Sequence, residues 1–504
     1  MTLPESEPAR RLPSAGVLKA ARTHMKQRGG GCSIRPHAGP ILRVGRNCGT
    51  IAAARRAAVI VDAARYFAAL HSVLRKAERS VLILGWDFDA GIALHPDSRE
   101  SEQLGNFLRA LVEERPTLEV RVLVWNLATV HSPGATAPLL FGASWHEHPR
   151  IRVALDSLHP IYAAQHQKIV CVDSIAFVGG IDLTVERWDT TRHAPNDGGR
   201  TSPDGGAYRP VHDLQWMIDG AAAQAVCRIA RERWRVVTGE TITSSTSSLD
   251  PWPSDVEPDF ENVPMAVART APAYNGAPEV REVETLVLDA LVAAKSRIYI
   301  ETQYFAEPRI ADVLARHLAR EGGPEIVVVV SRAARGVIEK WVMGNNRDRL
   351  VRRLRRADRH GRFRAYCPVV RGSSQVEILV HSKLLVVDDQ FLKIGSSNLN
   401  RRSMGLDAEC DMALEAGEQR TAAGIRAVRN RVIAEHLGKT AGAFAEAARS
   451  TGSIIAAIER LNDGPRRLEG LGIRDRGPTH VMPGTRILDP LTPFRLSSLL
   501  WRRH

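Results

Sequence analysis

Two short stretches, "HQKIVCVD" (residues 166–173) and "HSKLLVVDD" (residues 381–389), decide how this chain is expected to fold. Each places a histidine two residues before a lysine and seven residues before an aspartate, among mostly aliphatic side chains. From ordinary residue usage, such a pattern arises by chance at on the order of one start position in ten thousand. Its recurrence in one chain therefore indicates a duplicated structural unit.

The surroundings of the two stretches repeat as well. An apolar run that predicts a strand lies near Trp86, 80 residues before His166, and a similar run lies near Gln303, 78 residues before His381. Helical and strand patterns alternate in the same order before both histidines. Because strands that alternate with helices are typical of α/β proteins, the sequence predicts two similar α/β lobes.

Local patterns predict the elements and the boundaries between domains. Apolar residues at helical spacing predict a helix within residues 52–77, and "SVLILGWDFD" (residues 80–89) predicts a buried strand. Ser, Thr and Pro replace the periodic apolar residues at 238–258, which is typical of a linker. The predicted organisation is a disordered basic arm (1–40), a first lobe (41–240), a linker (241–262), a second lobe (263–440) and a C-terminal extension that packs on the lobes (441–504).

Composition limits the classes of function. The chain has 504 residues, of which 44% are hydrophobic and 25% charged, as expected of a globular protein. Its net charge of +13 favours anionic partners such as phospholipid surfaces, nucleic acid or phosphorylated small molecules. The six cysteines are scattered without a CxxC pair, which disfavours a metal ribbon or a disulfide scaffold and favours a reducing compartment.

The sequence shows no membrane-crossing or secretory segment. It has no apolar run of about 18 residues or more, and its first residues have no apolar core of the kind found in signal peptides. A cytoplasmic or peripheral membrane location is therefore favoured, and secretion by another route is left open.

The histidine and the lysine of each copy are the candidate reacting groups. In an extended chain, residues two apart project from the same face, so each histidine and its lysine are expected to lie together. The aspartate has the opposite parity and lies where its strand should end, so it is expected to bind backbone or a neighbouring residue. The six residues are His166, Lys168 and Asp173 in the first copy and His381, Lys383 and Asp388 in the second.

Two imidazoles and two ammonium groups that meet in one cleft suit substitution at the phosphorus of a phosphodiester. One neutral imidazole attacks phosphorus and becomes a phosphohistidine, while the other, protonated, donates to the departing alkoxide. The lysines hold the nonbridging oxygens and stabilise the charge of the transition state. No divalent metal or other cofactor is required by this chemistry, and metal-ligand motifs such as HExxH are not found in the sequence.

At this point the chain resembles the phospholipase D superfamily, whose HxKxxxxD motif it carries twice. It is most similar to the long two-motif phospholipases D and the cardiolipin synthase-like group. The resemblance implies two α/β/α sandwich lobes, each with a central mixed sheet, related by a pseudo-twofold axis. The segments that carry the resemblance beyond the motifs are "FVGGIDLTVERWD" (177–189), "IGSSNLNRRSMGLDAE" (394–409), "YRPVHDLQWMIDG" (208–220), "YIETQYF" (299–305) and, more weakly, "LDPLTP" (488–493).

The resemblance also implies roles for individual residues. It makes His166 the nucleophile and His381 the acid and later the base, although sequence symmetry leaves that order open. It implies that Glu409 fixes the tautomer of the second histidine and that Asp189 does so for the first. Asp182 and Asp197 lie close to Asp189 in sequence and stay open as alternatives. The phosphate is expected to be lined by Lys168, Lys383 and Asn398, with Ser396 nearby and with Gly180 and Gly395 allowing close backbone approach.

Two departures from the family pattern are present. The first copy is one residue shorter between Asp173 and the Gly179–Gly180 pair than in eukaryotic phospholipases, and Thr302 stands where an asparagine is usual. Both changes are expected at the rim of the site, and neither removes a reacting group.

The choice of phosphodiester rests on weaker signals. Residues 339–364 are strongly basic with apolar residues at helical spacing, so they are expected to form a helix that faces anionic lipid, nucleic acid or solvent. Aromatic residues make up only 5% of the chain, which disfavours a single-strand nucleic-acid binder. The expected partner is therefore a phospholipid membrane surface, and the chain is expected to act as a monomer with an internal pseudo-dimer.

The leading hypothesis is a phosphatidylcholine-type phospholipase D that releases phosphatidic acid, with transphosphatidylation when an alcohol replaces water. Three alternatives stay open at this point. They are a cardiolipin synthase-like phosphatidyltransferase, a nuclease, and a catalytically idle lipid-binding protein that retains the fold.

Overall fold

The computed structural model describes residues 39–98, 101–126, 144–243, 249–332, 340–372 and 374–493. The predicted basic arm (1–40) lies outside these residues except for its last two positions, and residues 244–248 of the predicted linker lie outside them as well. The remaining residues, from Gly39 onward, cluster as one unit.

The described residues form nineteen strands, which fall into a first and a second half of the chain. The strands of the first half are β1 (Thr50–Val61), β2 (Ser80–Gly85), β3 (Glu119–Trp125), β4 (Ile151–Asp156), β5 (Ile169–Val172), β6 (Ile175–Gly179), β7 (Val211–His212) and β8 (Leu214–Ile218). Those of the second half are β9 (Phe260–Ala271), β10 (Val280–Arg281), β11 (Arg297–Thr302), β12 (Glu325–Val330), β13 (Phe363–Arg371), β14 (Gln375–Glu377), β15 (Leu379–Val380), β16 (Leu384–Val387), β17 (Phe391–Gly395), β18 (Glu409–Glu415) and β19 (Arg466–Gly470).

The two halves have the same strand order. Pairing in the first half runs β4-β3-β2-β5-β6-β8-β1, and pairing in the second runs β13-β12-β11-β16-β17-β18-β9. In each order the first three strands are parallel and the others antiparallel, so both sheets are mixed. The edge strands β1 and β9 pair with each other from Thr50↔Val267 to Ala57↔Phe260 and join the sheets. The expected duplication of a mixed α/β unit is confirmed.

Helices cover the sheets on both sides. The helices are α1 (Ala63–Leu74), α2 (Leu104–Glu114), α3 (Gly220–Thr238), α4 (Glu282–Ala293), α5 (Pro308–Ala319), α6 (Asn345–Ala357), α7 (Arg401–Gly405), α8 (Gln419–His436), α9 (Ala441–Thr451), α10 (Ile454–Leu461) and α11 (Thr485–Leu488). One core lies under α1 and α2, a second under α4, α5 and α6, and a central one combines α3, α8, α9 and α10 with residues of both sheets.

The central strands are buried on both faces, which explains their continuous apolar sequences. In β2, Leu82 and Leu84 belong to the central core, whereas Val81 and Ile83 belong to the core under α1 and α2. Strands in this position read as apolar runs rather than as an alternating pattern.

The predicted helix within 52–77 is wrong for its first half. Residues Thr50–Val61 form β1, and a helix begins only at Ala63. The alanine-rich sequence permits either structure, but β1 pairs with β8 on one side and with β9 on the other, and these tertiary hydrogen bonds override the local helical spacing.

The described residues also bear on the expectations about membranes and cysteines. None of their helices is long and apolar enough to cross a bilayer. Five of the six cysteines lie among them, and all five are buried and free of disulfide bonds.

Candidate active site

The fold brings both motifs to corresponding places in the two sheets. His166 and Lys168 directly precede β5, and His381 and Lys383 directly precede β16, the corresponding strand of the other half. The reacting candidates thus lie at the entry of a central strand rather than within it. Because β5 and β16 are buried throughout, the backbone that carries these side chains is fixed by the core.

The motif aspartates bind backbone, as predicted. The carboxylate of Asp173 accepts hydrogen bonds from the backbone N–H groups of residues 78–80, at 2.7 to 3.1 Å. The carboxylate of Asp388 accepts from those of residues 295–297, at 2.6 to 2.8 Å. Each aspartate therefore ties the far end of its motif strand to the beginning of the neighbouring strand, β2 or β11.

Each motif histidine is held by a carboxylate from the other half of the chain. His166 Nδ1 lies 2.9 Å from Glu409 Oε2, and His381 Nδ1 lies 2.6 Å from Asp213 Oδ2. The expectation that Glu409 serves the second histidine is therefore wrong. Because the Nδ1–H faces a carboxylate, Nε2 is the ring nitrogen left for chemistry on both imidazoles.

Backbone pairing between the halves explains this crossed arrangement. The N–H of His166 donates to the carbonyl of Ala408 at 2.9 Å, directly before Glu409. The N–H of His381 donates to the carbonyl of His212 at 2.8 Å, directly before Asp213. Each histidine thus reaches the acid that begins or precedes a strand of the opposite sheet.

Asp189 does not contact His166, so its expected role is also wrong. Its carboxylate accepts from His193 Nδ1 at 2.8 Å, from Arg200 Nη1 at 3.0 Å and from the backbone N–H of Val211 at 2.8 Å. The residue is fully buried and holds the segment before β7 in place.

Both motif lysines are almost completely buried. Lys168 Nζ donates to the carbonyl of His166 at 3.1 Å and lies 3.2 Å from Asp182 Oδ2. Lys383 Nζ bonds the carbonyl of His381 and lies 3.3 Å from its Nδ1. The two buried ammonium groups lie beside the motif histidines, and their N–H groups are candidate donors to the oxygens of an anion.

Charge and burial shift the pKa values of these groups. Burial, followed by the charges of Lys168 and Lys383, holds the pKa of His166 well below its ordinary value, so this imidazole is neutral. Burial raises the pKa of Glu409 to about 7 and that of Asp213 to about 6. Burial lowers the pKa of Lys383 to about 7, and the charge of Lys168 acts in the same direction. Lys168 and Lys383 both act on the pKa of His166, in line with the hydrogen bonds that join each motif histidine to the opposite half of the chain.

The two predicted glycines make room for carboxylates. A methyl group at Gly180 would overlap the carboxylate of Asp213, and one at Gly395 would overlap that of Asp411. Gly180 therefore permits the position of the acid that holds His381. This close approach concerns protein side chains, whereas the sequence predicted an approach to phosphate.

Ser396 and Asn398 follow β17, and Ser396 contacts the carboxylate that holds His166. The Ser396 hydroxyl donates to Glu409, which fixes that carboxylate for His166. Asn398 is buried, its backbone N–H donates to Ser403 Oγ at 3.1 Å, and its side-chain Oδ1 has no hydrogen-bond partner among the described residues. Thr302, expected at the rim, is buried instead, and its hydroxyl accepts from the backbone N–H of Leu399 at 3.3 Å.

Sequence reasoning missed Asp213 and named Asp182 only as an alternative to Asp189. Asp213 directly precedes β8 and Glu409 begins β18, the corresponding strand, so aligning the two halves would have paired them. Asp182 follows the Gly179–Gly180 pair at the position that Asn398 holds after Gly395. An alignment of the two halves of the chain would therefore have pointed to both aspartates.

A second cluster of titratable groups lies beside the candidate site and was also missed. Asp62, His193, His212 and Glu435 are buried, and one ligand atom from each lies within 4.8 Å of the others. His212 directly precedes Asp213 in the chain, so the cluster and the His381 pair share a backbone segment.

This cluster has the composition of a site for a divalent cation. The second ring nitrogens of its histidines face carboxylates, with His193 Nδ1 2.8 Å from Asp189 and His212 Nε2 3.0 Å from Glu301. Outer carboxylates of this kind orient metal-binding imidazoles. His212, Glu301 and His436 form an overlapping group of three. These residues could hold a metal ion, whereas the sequence predicted no metal, and that prediction stays untested.

Protons balance the charge of the cluster when no cation is bound. Burial by itself lowers the pKa of His193, but the carboxylates of Asp62 and Glu435 raise it to about 10. The pKa of His212 is raised well above its ordinary value, because Glu301 and Asp62 outweigh the effect of burial. Two imidazolium groups among buried carboxylates form an ion-pair network that couples both halves of the chain.

Known proteins have similar sequences and a similar fold. Residues 287–426 match the family model described as "Cardiolipin synthase, PLD-like domain". The chain is 24% identical to phospholipase D alpha 1 of Carica papaya, over 74% of this chain and 64% of that protein. It is also 24% identical to phospholipase D alpha 3 of Arabidopsis thaliana, over 77% of this chain and 64% of that protein. The chain thus spans about 64% of the length of these curated relatives.

A solved structure supports the fold. The phosphatidylserine synthase of Haemophilus influenzae Rd KW20 superposes with a TM-score of 0.51 at 13% identity, covering 76% of this chain and 87% of that one. The chain has two similar α/β lobes, and each lobe carries one HxKxxxxD motif. The sequence matches support the assignment of the chain to the phospholipase D superfamily.

Proposed function

We propose that this protein is a phospholipase D-type phosphodiesterase that hydrolyses the head-group phosphodiester of a glycerophospholipid such as phosphatidylcholine. The observation that carries the proposal is the crossed arrangement of His166 with Glu409 and of His381 with Asp213. It leaves two imidazole Nε2 atoms beside two buried lysines. Substitution at phosphorus requires such groups as nucleophile, as proton donor and as stabilisers of negative charge.

In the first step, His166 is the nucleophile. Its low pKa keeps the imidazole neutral, so Nε2 carries a lone pair that attacks phosphorus and forms a P–N bond. The P–O bond to the head-group alcohol breaks, and the departing alkoxide takes a proton from Nε2 of His381. Glu409 stabilises the positive charge that the phosphorylated His166 acquires, because it accepts from its Nδ1–H.

In the second step, water replaces the alcohol. His381 Nε2 now accepts a proton from that water, whose oxygen attacks phosphorus while the P–N bond breaks. The products are phosphatidic acid and the free alcohol, and both histidines return to their starting states. An alcohol in place of water gives transphosphatidylation by the same steps.

The lysines and Asn398 are proposed to hold the nonbridging oxygens throughout. Lys168 and Lys383 are buried, so their charges are weakly screened and act strongly on a bound phosphate. Asp173 and Asp388 bind backbone at the far ends of the strands, which supports a positioning role for them rather than a role in the reaction.

The names of the relatives favour a phospholipid substrate. The matched curated proteins from papaya and Arabidopsis are named as phospholipases D, and the superposed structure is that of a phosphatidylserine synthase. The matched family model, by contrast, is described as a cardiolipin synthase domain, and this observation favours phosphatidyl transfer as the second candidate.

A panel of substrates tests the proposal. The full chain is incubated with phosphatidylcholine vesicles, with phosphatidylglycerol and with supercoiled plasmid, each with and without EDTA, and choline, cardiolipin and nicked DNA are measured. Choline release that both His166→Ala and His381→Ala abolish is the expected result. With a p-nitrophenyl phosphodiester, whose leaving group needs no proton from His381, a rapid denaturing quench at alkaline pH, which preserves the P–N bond, should trap phosphorylated protein with His381→Ala and none with His166→Ala.

Other outcomes reverse the ranking. Cardiolipin formation without choline release would favour the transferase, and plasmid nicking without lipid turnover would favour a nuclease. A folded protein that is inactive on every substrate, and whose histidine variants behave as the parent does, would refute the enzymatic proposal and favour a lipid-binding protein. Phosphorylation trapped with His166→Ala instead of His381→Ala would reverse the two roles.

A further inference from the structure

An unusual turn lies four residues before the proposed nucleophile. The backbone N–H of Ala163 donates to the carbonyl of Pro160 at 3.0 Å, which closes a tight turn with Ile161 and Tyr162 at its tip. Tyr162 has a φ of 70°, in the left-handed region that favours glycine and asparagine. Nevertheless the tip exposes 69% of Ile161 and 60% of Tyr162 to solvent. Backbone strain that presents apolar side chains to water is a sign of function.

The turn is firmly anchored at its base. The Trp125 indole donates to His159 Nε2 at 3.0 Å, and His159 Nδ1 lies 3.0 Å from the carbonyl of Pro160. The guanidinium of Arg402 donates to the carbonyl of Tyr162. Because Arg402 also bonds Asp407, the turn is tied to the segment that leads to Glu409, the partner of the first histidine.

A second exposed apolar pair lies in a segment that is also hydrogen-bonded to Arg402. Helix α11 exposes 64% of Ile487 and 42% of Leu488, and Asp489 follows directly. The buried carboxylate of Asp489 accepts from the backbone N–H of Arg402 at 2.9 Å. Arg402 binds Tyr162 through its side chain and Asp489 through its backbone. Because Asp489 directly follows Leu488, both exposed pairs are held by the same arginine.

We call Ile161, Tyr162, Ile487 and Leu488 the apolar rim. These four are half of the eight large hydrophobic side chains that are exposed among the described residues. Single exposed apolar residues need no explanation, but a group of four beside a reacting histidine does. His166, four residues after Tyr162, is also the more open of the two histidines, with 18% of its side chain exposed against 7% for His381.

We propose that the apolar rim docks on the surface of a phospholipid bilayer and places the opening beside His166 against the head groups. This inference rests on the proposed function, because it supplies the means by which a bilayer lipid reaches the site. Arg486 is exposed directly before Ile487, and together with the net charge of +13 it complements lipid phosphates. Apolar side chains that insert between basic ones are the usual composition of an interfacial surface.

The basic helix that the sequence singled out is less suited to this task. The arginines of α6 are engaged with the C-terminal segment of the chain: Arg352 donates to the carbonyl of residue 474 at 2.9 Å, Arg355 to that of residue 473 at 2.6 Å and Arg356 to that of residue 477 at 2.9 Å. Docking a membrane through these arginines would require those hydrogen bonds to break.

The test compares membrane-bound with dissolved substrate. The double variant Ile161→Ser/Ile487→Ser is measured for sedimentation with phosphatidylcholine–phosphatidylglycerol vesicles and for turnover of vesicle lipid. It is also measured on a short-chain phosphatidylcholine below its critical micelle concentration. The control carries Val44→Ser/Val236→Ser, two similar apolar-to-serine changes at exposed positions outside the rim.

The rim variant is expected to lose activity on vesicles and to keep its activity on dissolved lipid. Vesicle binding and vesicle turnover should fall by about tenfold or more, because each large apolar side chain contributes roughly that factor when it leaves water. Turnover of the dissolved lipid should stay within about twofold, and the control should match the parent.

Three outcomes overturn the inference. Unchanged vesicle binding by the rim variant refutes docking through the rim, and equal losses on both substrates show that the turn shapes the site instead. A parent dimer in sedimentation velocity that the rim variant dissociates assigns the rim to a second copy of the chain. If the parent turns over neither lipid, the proposed function fails, and vesicle sedimentation alone still decides whether the rim binds membranes.

Discussion

Glu409 accepts a hydrogen bond from His166 at 2.9 Å, although 243 residues separate the two in the chain. Asp213 and His381 form the reciprocal pair at 2.6 Å. Each half of the duplicated chain therefore supplies one histidine and the carboxylate that orients the histidine of the other half. Neither half alone has a complete set, so activity is expected to depend on both.

Glu409→Gln is expected to lower kcat by about 10²- to 10⁴-fold with little change in KM. The amide cannot stabilise the positive charge that His166 gains when it attacks phosphorus, and it does not fix the imidazole tautomer as a carboxylate does. Choline release and urea unfolding check this. Glu418→Gln, at an exposed position just beyond β18, serves as the control. A normal kcat in a variant that folds normally would contradict the assigned role.

The pH dependence of kcat/KM should be a narrow bell with its maximum near pH 7. On the acid side activity falls because Glu409, with a pKa of about 7, and Asp213, with a pKa of about 6, become protonated and no longer accept from the histidines. On the alkaline side activity falls because Lys383, with a pKa of about 7, loses the charge that stabilises phosphate. Initial rates on a dissolved lipid between about pH 5 and 9 check this.

Lys383→Arg identifies the alkaline limb. A guanidinium stays protonated throughout this range, so the fall above pH 7 should disappear even if the maximal rate is lower. An alkaline limb that persists unchanged in Lys383→Arg would show that another group titrates there.

Asp388→Ala is expected to destabilise the fold without impairing the chemistry of the folded molecules. Its carboxylate accepts from three consecutive backbone N–H groups and its φ is 54°, so the free energy of unfolding should fall by about 2–4 kcal/mol. Asp388→Asn retains an acceptor and tolerates the left-handed backbone, so its loss should be smaller. Urea unfolding and kcat per folded molecule decide this; a large loss of kcat with normal stability would assign Asp388 to the reaction.

Gly180→Ala should reduce activity by about a hundredfold, because the added methyl group displaces the carboxylate of Asp213 that orients His381. The matched control is Gly198→Ala, where the added methyl group meets no neighbouring atom. Choline release by both variants is compared. If Gly180→Ala and Gly198→Ala are equally active, the close approach to Asp213 has no bearing on the reaction.

Asp62→Ala is expected to lower the free energy of unfolding by about 3–5 kcal/mol, because it leaves His193 and His212 buried without one of their carboxylates. Urea denaturation measures the effect. Asp463→Ala, which removes an exposed partner of Lys439, should leave the unfolding midpoint unchanged. Equal midpoints for both variants would show that the buried network does not couple the two halves.

The sequence alone determined the duplication, the α/β class and the six motif residues. These features are local: aliphatic runs predict buried strands wherever they lie, and the spacing of histidine, lysine and aspartate is visible along one strand. The boundaries of the predicted domains stay predictions. So do the roles of the site residues, which the experiments above address.

Only the tertiary structure decided which carboxylate serves which histidine. Sequence proximity and family resemblance assigned Asp189 and Glu409, but backbone pairing across the pseudo-twofold axis selects Glu409 for His166 and Asp213 for His381. The same holds for β1, whose helical spacing yields to hydrogen bonds with strands of both halves. In each case the deciding contact joins residues more than a hundred positions apart. The local sequence around either residue contains no information about where the other one lies.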